Sequence, residues 1–87
     1  MYNLTLTRNE RSAIEWVGNR YWNGDDFRRI LWSAKNEGGE WDGPDDITFF
    51  LQEHEAWEIN DHIEEEGLPC FSDDFVSKLY NFSAQIV

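Results

Sequence analysis

Cysteine and proline are scarce in this chain. It contains a single cysteine, Cys70, and two prolines among 87 residues. One cysteine cannot form a disulfide within the chain, nor can it supply a thiolate metal cluster. Its position between Pro69 and Phe71 favours a small buried hydrophobic side chain over a reactive thiol. Such cysteine usage is typical of a protein that folds in a reducing compartment.

Long apolar runs are also missing. No stretch approaches the about 20 apolar residues that a membrane helix needs, and the first residues lack the basic start and apolar run of a signal peptide. We therefore expect a cytoplasmic protein without membrane contact. The length predicts one domain over residues 1–87, monomeric or in a small homo-oligomer, with 14 aromatic residues available for its core.

Positive charge is absent from the middle of the chain. No Lys or Arg occurs between Glu37 and Asp74. Residues 37–87 carry fourteen acidic side chains and one cation, Lys78, whereas residues 1–36 carry six basic and four acidic side chains. The formal net charge is −11. A block of this kind repels nucleic acid and anionic lipid and attracts basic protein surfaces.

Periodicity predicts two elements at the start of the chain. Residues 2–6 alternate apolar and polar side chains, which is the pattern of a half-buried strand. Thr7 and Glu10 form a capping box that opens a helix over about residues 8–21.

A second helix follows a break at residues 23–26, where Asn or Asp can cap it. Its apolar stripe consists of Phe27, Ile30, Leu31 and Ala34. We expect Lys35 in its last turn and an end at residues 36–39. Residues 40–46 then predict a loop rich in turn residues.

The remaining pattern predicts a second strand and two more helices. Residues 47–51 are β-branched and aromatic, and they can pair with residues 2–6 or fold back on residues 40–42. A third helix over residues 52–66 ends at Gly67 before Pro69, and Ser72 caps a fourth. The order β-α-α-β-α-α predicts an α+β fold of four helices with a small two- or three-stranded sheet. The alternative is an almost all-α bundle.

The acidic block suggests a binding surface. Ala56, Ile59 and Ile63 define the buried side of the third helix, which leaves its carboxylates outside. Solvated, solubilising acids are the ordinary interpretation, but like charges at i, i+4 destabilise a helix, and selection for stability alone would intersperse cations. The predicted partner-binding carboxylates are Glu40, Asp42, Asp45, Asp46, Glu55, Glu58, Asp61, Glu65, Asp73 and Asp74. Trp41 or Trp57 is the predicted apolar anchor among them.

In size, acidity and lack of catalytic motifs, the block over residues 37–74 resembles phage-encoded nucleic-acid mimics of the anti-CRISPR and antirestriction kind. The segments Leu6-Thr7-Arg8-Asn9-Glu10-Arg11 and His54-Glu55-Ala56-Trp57-Glu58-Ile59 also look like small phage and prophage proteins. The resemblance implies a non-enzymatic inhibitor in the host-cell cytoplasm. Its partner would be the basic surface of a nucleic-acid-binding protein, a CRISPR effector or a restriction enzyme, and it would not bind nucleic acid itself.

A rival interpretation places the interface on the first two helices. Trp32 lies opposite the apolar stripe of the second helix, beside Arg28 and Arg29, and an Arg28–Trp32 pair would be a cation–π contact. In that case the acids serve solubility only. We expect instead that a further layer covers Trp32, and that Trp16 and Trp57 lie at the edge of the core.

Metal binding and catalysis are not indicated. His54, Glu58 and His62 are spaced i, i+4, i+8, which places the outer two about 12 Å apart along a helix, too far for one ion. The sequence contains no phosphate-binding loop, nucleophile elbow or Cys-x-x-Cys motif. We therefore expect no catalytic residue, no metal and no cofactor.

Overall fold

A computed structural model describes residues 1–21, 26–67 and 71–86. In chain order the elements are β1 (Tyr2–Leu6), α1 (Arg8–Arg20), α2 (Asp26–Ser33), β2 (Lys35–Glu37), β3 (Ile47–Leu51), α3 (Glu53–Glu66) and α4 (Asp73–Ile86). The predicted α+β class is confirmed, with four helices and a three-stranded sheet in the described part of the chain. The suggested caps at residues 23–25, Pro69 and the predicted burial of Cys70 lie outside the described residues.

The sheet is antiparallel, in the order β1-β3-β2. β3 pairs with β1, as one of the two alternatives predicted, with Ile47 opposite Leu6. Its other neighbour is β2, where Lys35 lies opposite Phe50. The alternative hairpin with residues 40–42 is therefore wrong.

The second helix is shorter than predicted. It ends at Ser33, and Lys35 begins β2 instead of lying in the last helical turn. Residues 35–37 have no apolar side chain to continue the helical stripe, whereas their backbone can pair with β3. Gly38 then turns the chain at φ 121, where a Cβ atom would lie 2.2 Å from the Asp46 carbonyl oxygen.

The core lies between one face of the sheet and the helices. Leu4 and Leu6 of β1 alternate with exposed polar residues, and every second residue of β3 is buried. On the opposite face, the exposed hydroxyls of Thr5 and Thr48 are 2.9 Å apart. The buried hydrophobic residues of the helices are Ile14, Val17, Phe27, Leu31, Ala56, Ile59, Ile63, Phe75, Leu79, Phe82 and Ile86.

Local signals start the helices where the sequence predicts. The Thr7 backbone N–H donates to Glu10 Oε1 at 2.8 Å, and the Glu10 N–H donates to Thr7 Oγ1 at 3.2 Å, which is the predicted capping box. Ser72 Oγ accepts a hydrogen bond from the Phe75 N–H at 3.3 Å, as a helix cap does. α3 begins at Glu53, with Gln52 as its N-cap.

Candidate protein-binding surface

α3 carries a high density of carboxylates. Its 14 residues include seven acidic residues and no Lys or Arg. Ala56, Ile59, Asn60 and Ile63 are its buried residues. Of the acidic side chains that the structure describes on α3, Glu55 is half-buried and the others are exposed. The predicted division between an apolar inner side and an acidic outer side of this helix is confirmed.

Four of the predicted carboxylates meet in one groove. The α2–α3 groove has a volume of ≈ 650 Å³. Its α3 wall carries Glu55, Glu58, Asp61 and Glu65, together with His54 and His62, and its α2 wall carries Arg29, Ile30 and Ser33. A side chain entering the groove from outside would therefore meet a largely anionic wall.

The groove carboxylates remain open to a partner. Glu55 Oε1 accepts a hydrogen bond from the Gln52 N–H at 2.9 Å, which fixes this side chain at the start of α3. Glu58, Asp61 and Glu65 form no ion pair with any described cation. They can therefore pair with an incoming Arg or Lys without first giving up such a contact.

A second acidic group lies on the loop between β2 and β3. Its members Glu40, Asp42, Asp45 and Asp46 are all exposed. The loop turns tightly, because the Gly43 N–H donates to the Glu40 carbonyl at 2.9 Å. Sequence reasoning predicted these four residues as a site, and the structure shows them solvated on one short loop.

Arg11 holds this acidic loop in place. Its side chain is 1 % exposed, and its guanidinium donates to three carbonyls, those of Trp41 (2.8 Å), Leu6 (2.7 Å) and Gly43 (2.7 Å). Sequence reasoning missed this role. The available signal was the position of Arg11 three residues before Ile14, on the buried stripe of α1.

Asp73 and Asp74 belong to a different part of the surface. Both are exposed in the first turn of α4. Asp74 lines a separate groove between α4 and β1, together with Lys78. Lys78 Nζ lies 2.6 Å from Glu10 Oε1 and donates to the Thr5 carbonyl. The predicted carboxylates therefore fall into three groups and not into one continuous groove.

The Arg and Lys side chains whose contacts are described bind groups other than the predicted partner-binding carboxylates. Arg28 lies 3.7 Å from Glu15, and Arg20 lies over the ring of Trp16 at 4.5 Å. Arg11 and Lys78 are engaged as described above. None of these contacts is with a predicted partner-binding carboxylate.

Three tryptophans in the described part of the chain are exposed. Trp32 is 53 % exposed, so the expectation that a further layer covers it is wrong. Trp16 and Trp57, which we expected at the edge of the core, are 43 % and 42 % exposed. The ring centroid of Trp16 lies 5.6 Å from that of Tyr21. Part of each of these three side chains is therefore accessible to a partner.

The two predicted anchors differ in position. Trp57 is exposed on α3, with Glu53 and Asp61 one turn away on either side, so that carboxylates flank it. Trp41 is half-buried and packs against the core, with its ring centroid 6.1 Å from that of Phe49. Trp57 is thus exposed enough to contact a partner, whereas the side chain of Trp41 is only partly accessible.

Comparison with protein-family models, with curated proteins and with solved structures gave no significant match. Among the described residues, no group of three or more His, Cys, Asp or Glu side chains has the geometry to hold a metal ion. Within the same ranges, no helix combines the length and apolar composition required to cross a membrane.

Proposed function

We propose that this chain is a non-enzymatic acidic protein that occupies the basic, nucleic-acid-binding surface of another protein. The partner class is a nucleic-acid-binding defence protein, such as a CRISPR effector or a restriction enzyme, met in the cytoplasm of a host cell. The observation that carries this proposal is the charge spacing on α3.

That spacing approaches the spacing of phosphates. The 14-residue α3 is about 21 Å long, because each helical residue rises about 1.5 Å. Its seven acidic residues therefore place one charge per about 3 Å of axis, whereas one strand of duplex DNA carries one per about 3.4 Å. A protein groove lined with Lys and Arg to receive a phosphate backbone would meet a comparable charge density on this helix.

The acids are also held in position. α3 packs against α2 and α4, and Arg11 fixes the loop that carries Glu40 and Asp42. A preorganised surface loses little conformational entropy on binding, so that more of the electrostatic attraction remains as affinity. This supports a surface that acts by complementarity and not by folding on contact.

A second candidate rests on the exposed Trp32. The Arg28 guanidinium lies 4.8 Å from the centroid of the Trp32 ring, and this pair could form the centre of an interface in an ordinary regulatory interaction protein. The acids would then serve solubility. Affinity through such an apolar centre would change little with salt, whereas affinity through exposed carboxylates would fall steeply between low and moderate ionic strength.

The first test is capture followed by competition. The immobilised protein is exposed to a bacterial lysate, bound proteins are eluted with a salt gradient, and each is identified and purified. We expect a nucleic-acid-binding protein that duplex DNA displaces from the immobilised chain. A captured protein that binds DNA and this chain simultaneously would contradict the proposal.

A matched pair of variants tests the site. Glu58→Lys/Glu65→Lys reverses two charges in the α2–α3 groove, and Glu53→Lys/Glu64→Lys reverses two charges on the same helix outside the groove lining. Both change the net charge and the charge density of α3 equally, so a difference between them reports the position of the charges and not their number. We expect the groove variant to weaken partner binding at least about tenfold more than its control. Unchanged binding of the groove variant would refute the assignment.

A further inference from the structure

A small aromatic notch adjoins the acidic loop. This Trp32–Trp41 notch has a volume of ≈ 200 Å³ and lies between α2 and the β2–β3 loop. The two indoles that line it are nearly perpendicular, with an interplanar angle of 82° and ring centroids 5.9 Å apart. Leu31, Ile47 and Phe49 add buried apolar side chains, and Asn36 and Gly39 complete the lining.

We infer that this notch receives one arginine side chain of the basic partner. The inference rests on the proposed function and names the group that the partner would insert. An arginine has an aliphatic stem, which suits the apolar lining, and a planar guanidinium, which stacks on indole rings.

The charges around the notch favour a cation over an apolar occupant. Glu40 and Asp42 flank the lining residue Trp41 in the chain, and Asp46 precedes the lining residue Ile47. All three carboxylates are exposed. None of the three lines the notch, so they favour a cation there through the negative field of the loop. A guanidinium that reaches past the lining can also donate forked hydrogen bonds to a carboxylate, which an apolar side chain cannot do.

The chain already shows the stacking geometry on this ring. Arg28 lies 4.8 Å from the Trp32 centroid, and its own charge is partly offset by Glu15 at 3.7 Å. Trp32 retains more than half of its surface exposed. Part of the Trp32 side chain therefore stays accessible in addition to its contacts with Arg28 and Trp41.

The wall formed by Trp41 is preformed. Arg11 Nε donates to the Trp41 carbonyl at 2.8 Å, and the Trp41 ring packs edge-on against Phe49. An incoming side chain does not have to order this wall, so binding retains more of its contact energy.

The test uses short peptides and requires no nucleic-acid-binding protein. A blocked Gly-Gly-Arg-Gly-Gly peptide is titrated into ¹⁵N-labelled protein, and the indole N–H resonances of Trp32 and Trp41 are followed. The control peptide carries citrulline, which has the same shape without the charge. We expect saturable shifts of both indole resonances with arginine and at least about tenfold weaker binding of citrulline.

Two variants locate the binding. Trp32→Ala should abolish the shift of the Trp41 resonance, and Glu40→Gln/Asp42→Asn, which leaves the core untouched, should weaken arginine binding several-fold. Equal binding of citrulline, lysine or leucine peptides, or silent indole resonances, would overturn the inference. If the indole resonances do not shift, but Glu58→Lys/Glu65→Lys still weakens partner binding, only the inference about the notch is refuted. If the arginine peptide binds in the notch but duplex DNA does not displace the captured protein, the proposed function is refuted and the notch remains an arginine site.

Discussion

The Arg11 side chain donates a 2.8 Å hydrogen bond to the carbonyl of Trp41, 30 residues further along the chain. This contact connects the first turn of α1 to the loop that carries four of the predicted carboxylates. Because the guanidinium is buried, its charge depends on the three carbonyls for stabilisation. The position of the acidic loop is thus determined by a cation from the N-terminal, slightly basic part of the chain.

We expect Arg11→Met to destabilise the protein by about 3 kcal/mol, since it removes the Arg11 hydrogen bonds to one buried and two part-buried carbonyls. Urea unfolding followed by tryptophan fluorescence measures the change. Arg8→Met, at an exposed position in the same helix, is the control and should cost less than about 0.5 kcal/mol. Equal losses in the two variants would show that the Arg11 contacts do not stabilise the fold.

Gly38→Ala should destabilise more than Gly39→Ala. Both residues have positive φ, at 121 and 116, but a Cβ atom on Gly38 would meet the Asp46 carbonyl, whereas one on Gly39 meets nothing within 4 Å. Gly39→Ala should therefore cost only the backbone strain of about 1–2 kcal/mol, and Gly38→Ala distinctly more. Thermal unfolding distinguishes them, at about 4–8 °C per kcal/mol for a domain of this size. The reverse order would contradict the turn geometry.

Lys78 and Glu10 should show measurable coupling. The ion pair at 2.6 Å joins α4 to the start of α1, and Glu10 also caps that helix. A double-mutant cycle with Lys78→Met and Glu10→Gln should give a coupling free energy of about 0.5–1 kcal/mol that falls with added salt. Additive effects at low salt would show that the contact contributes nothing to stability.

The loop and groove acids should act together in partner binding. Reversing Asp45, Asp46 and Glu58 to Lys should abolish binding to the captured partner and leave the far-UV circular dichroism spectrum unchanged, since all three side chains are exposed. For the unchanged protein, raising the salt from 50 to about 200 mM should lower the affinity severalfold or more, because exposed charge pairs are screened. Salt-independent binding would favour the Trp32–Arg28 interface instead.

Features encoded by neighbouring residues could be predicted from the sequence. The caps at Thr7 and Ser72, the strand at residues 47–51 and the outward-facing acids of α3 each depend on a local pattern. β2 could not be predicted in this way, because its three polar residues have no strand pattern of their own and are extended only through pairing with β3.

The candidate site likewise has one part that local sequence predicts and another part that depends on tertiary packing. The carboxylates of one α3 face follow from helical spacing, but the opposing wall with Arg29 depends on how α2 packs against α3. The Arg11 contacts also join segments that are distant in the sequence. The one local indication of them was a charged residue on the buried stripe of α1. The exposure of Trp32 could not be predicted for a related reason, because it depends on which elements pack over this side chain.

β2 also determines how other molecules can approach one of the two edges of the sheet. It is an edge strand of three residues, all exposed, and Lys35 and Glu37 give it charges of both signs. Short, charged edges discourage neighbouring chains from adding a strand through backbone hydrogen bonds. Copies of this protein should therefore not add a strand along the β2 edge, and recognition at that edge is left to side chains, where a change of single charges can alter the choice of partner.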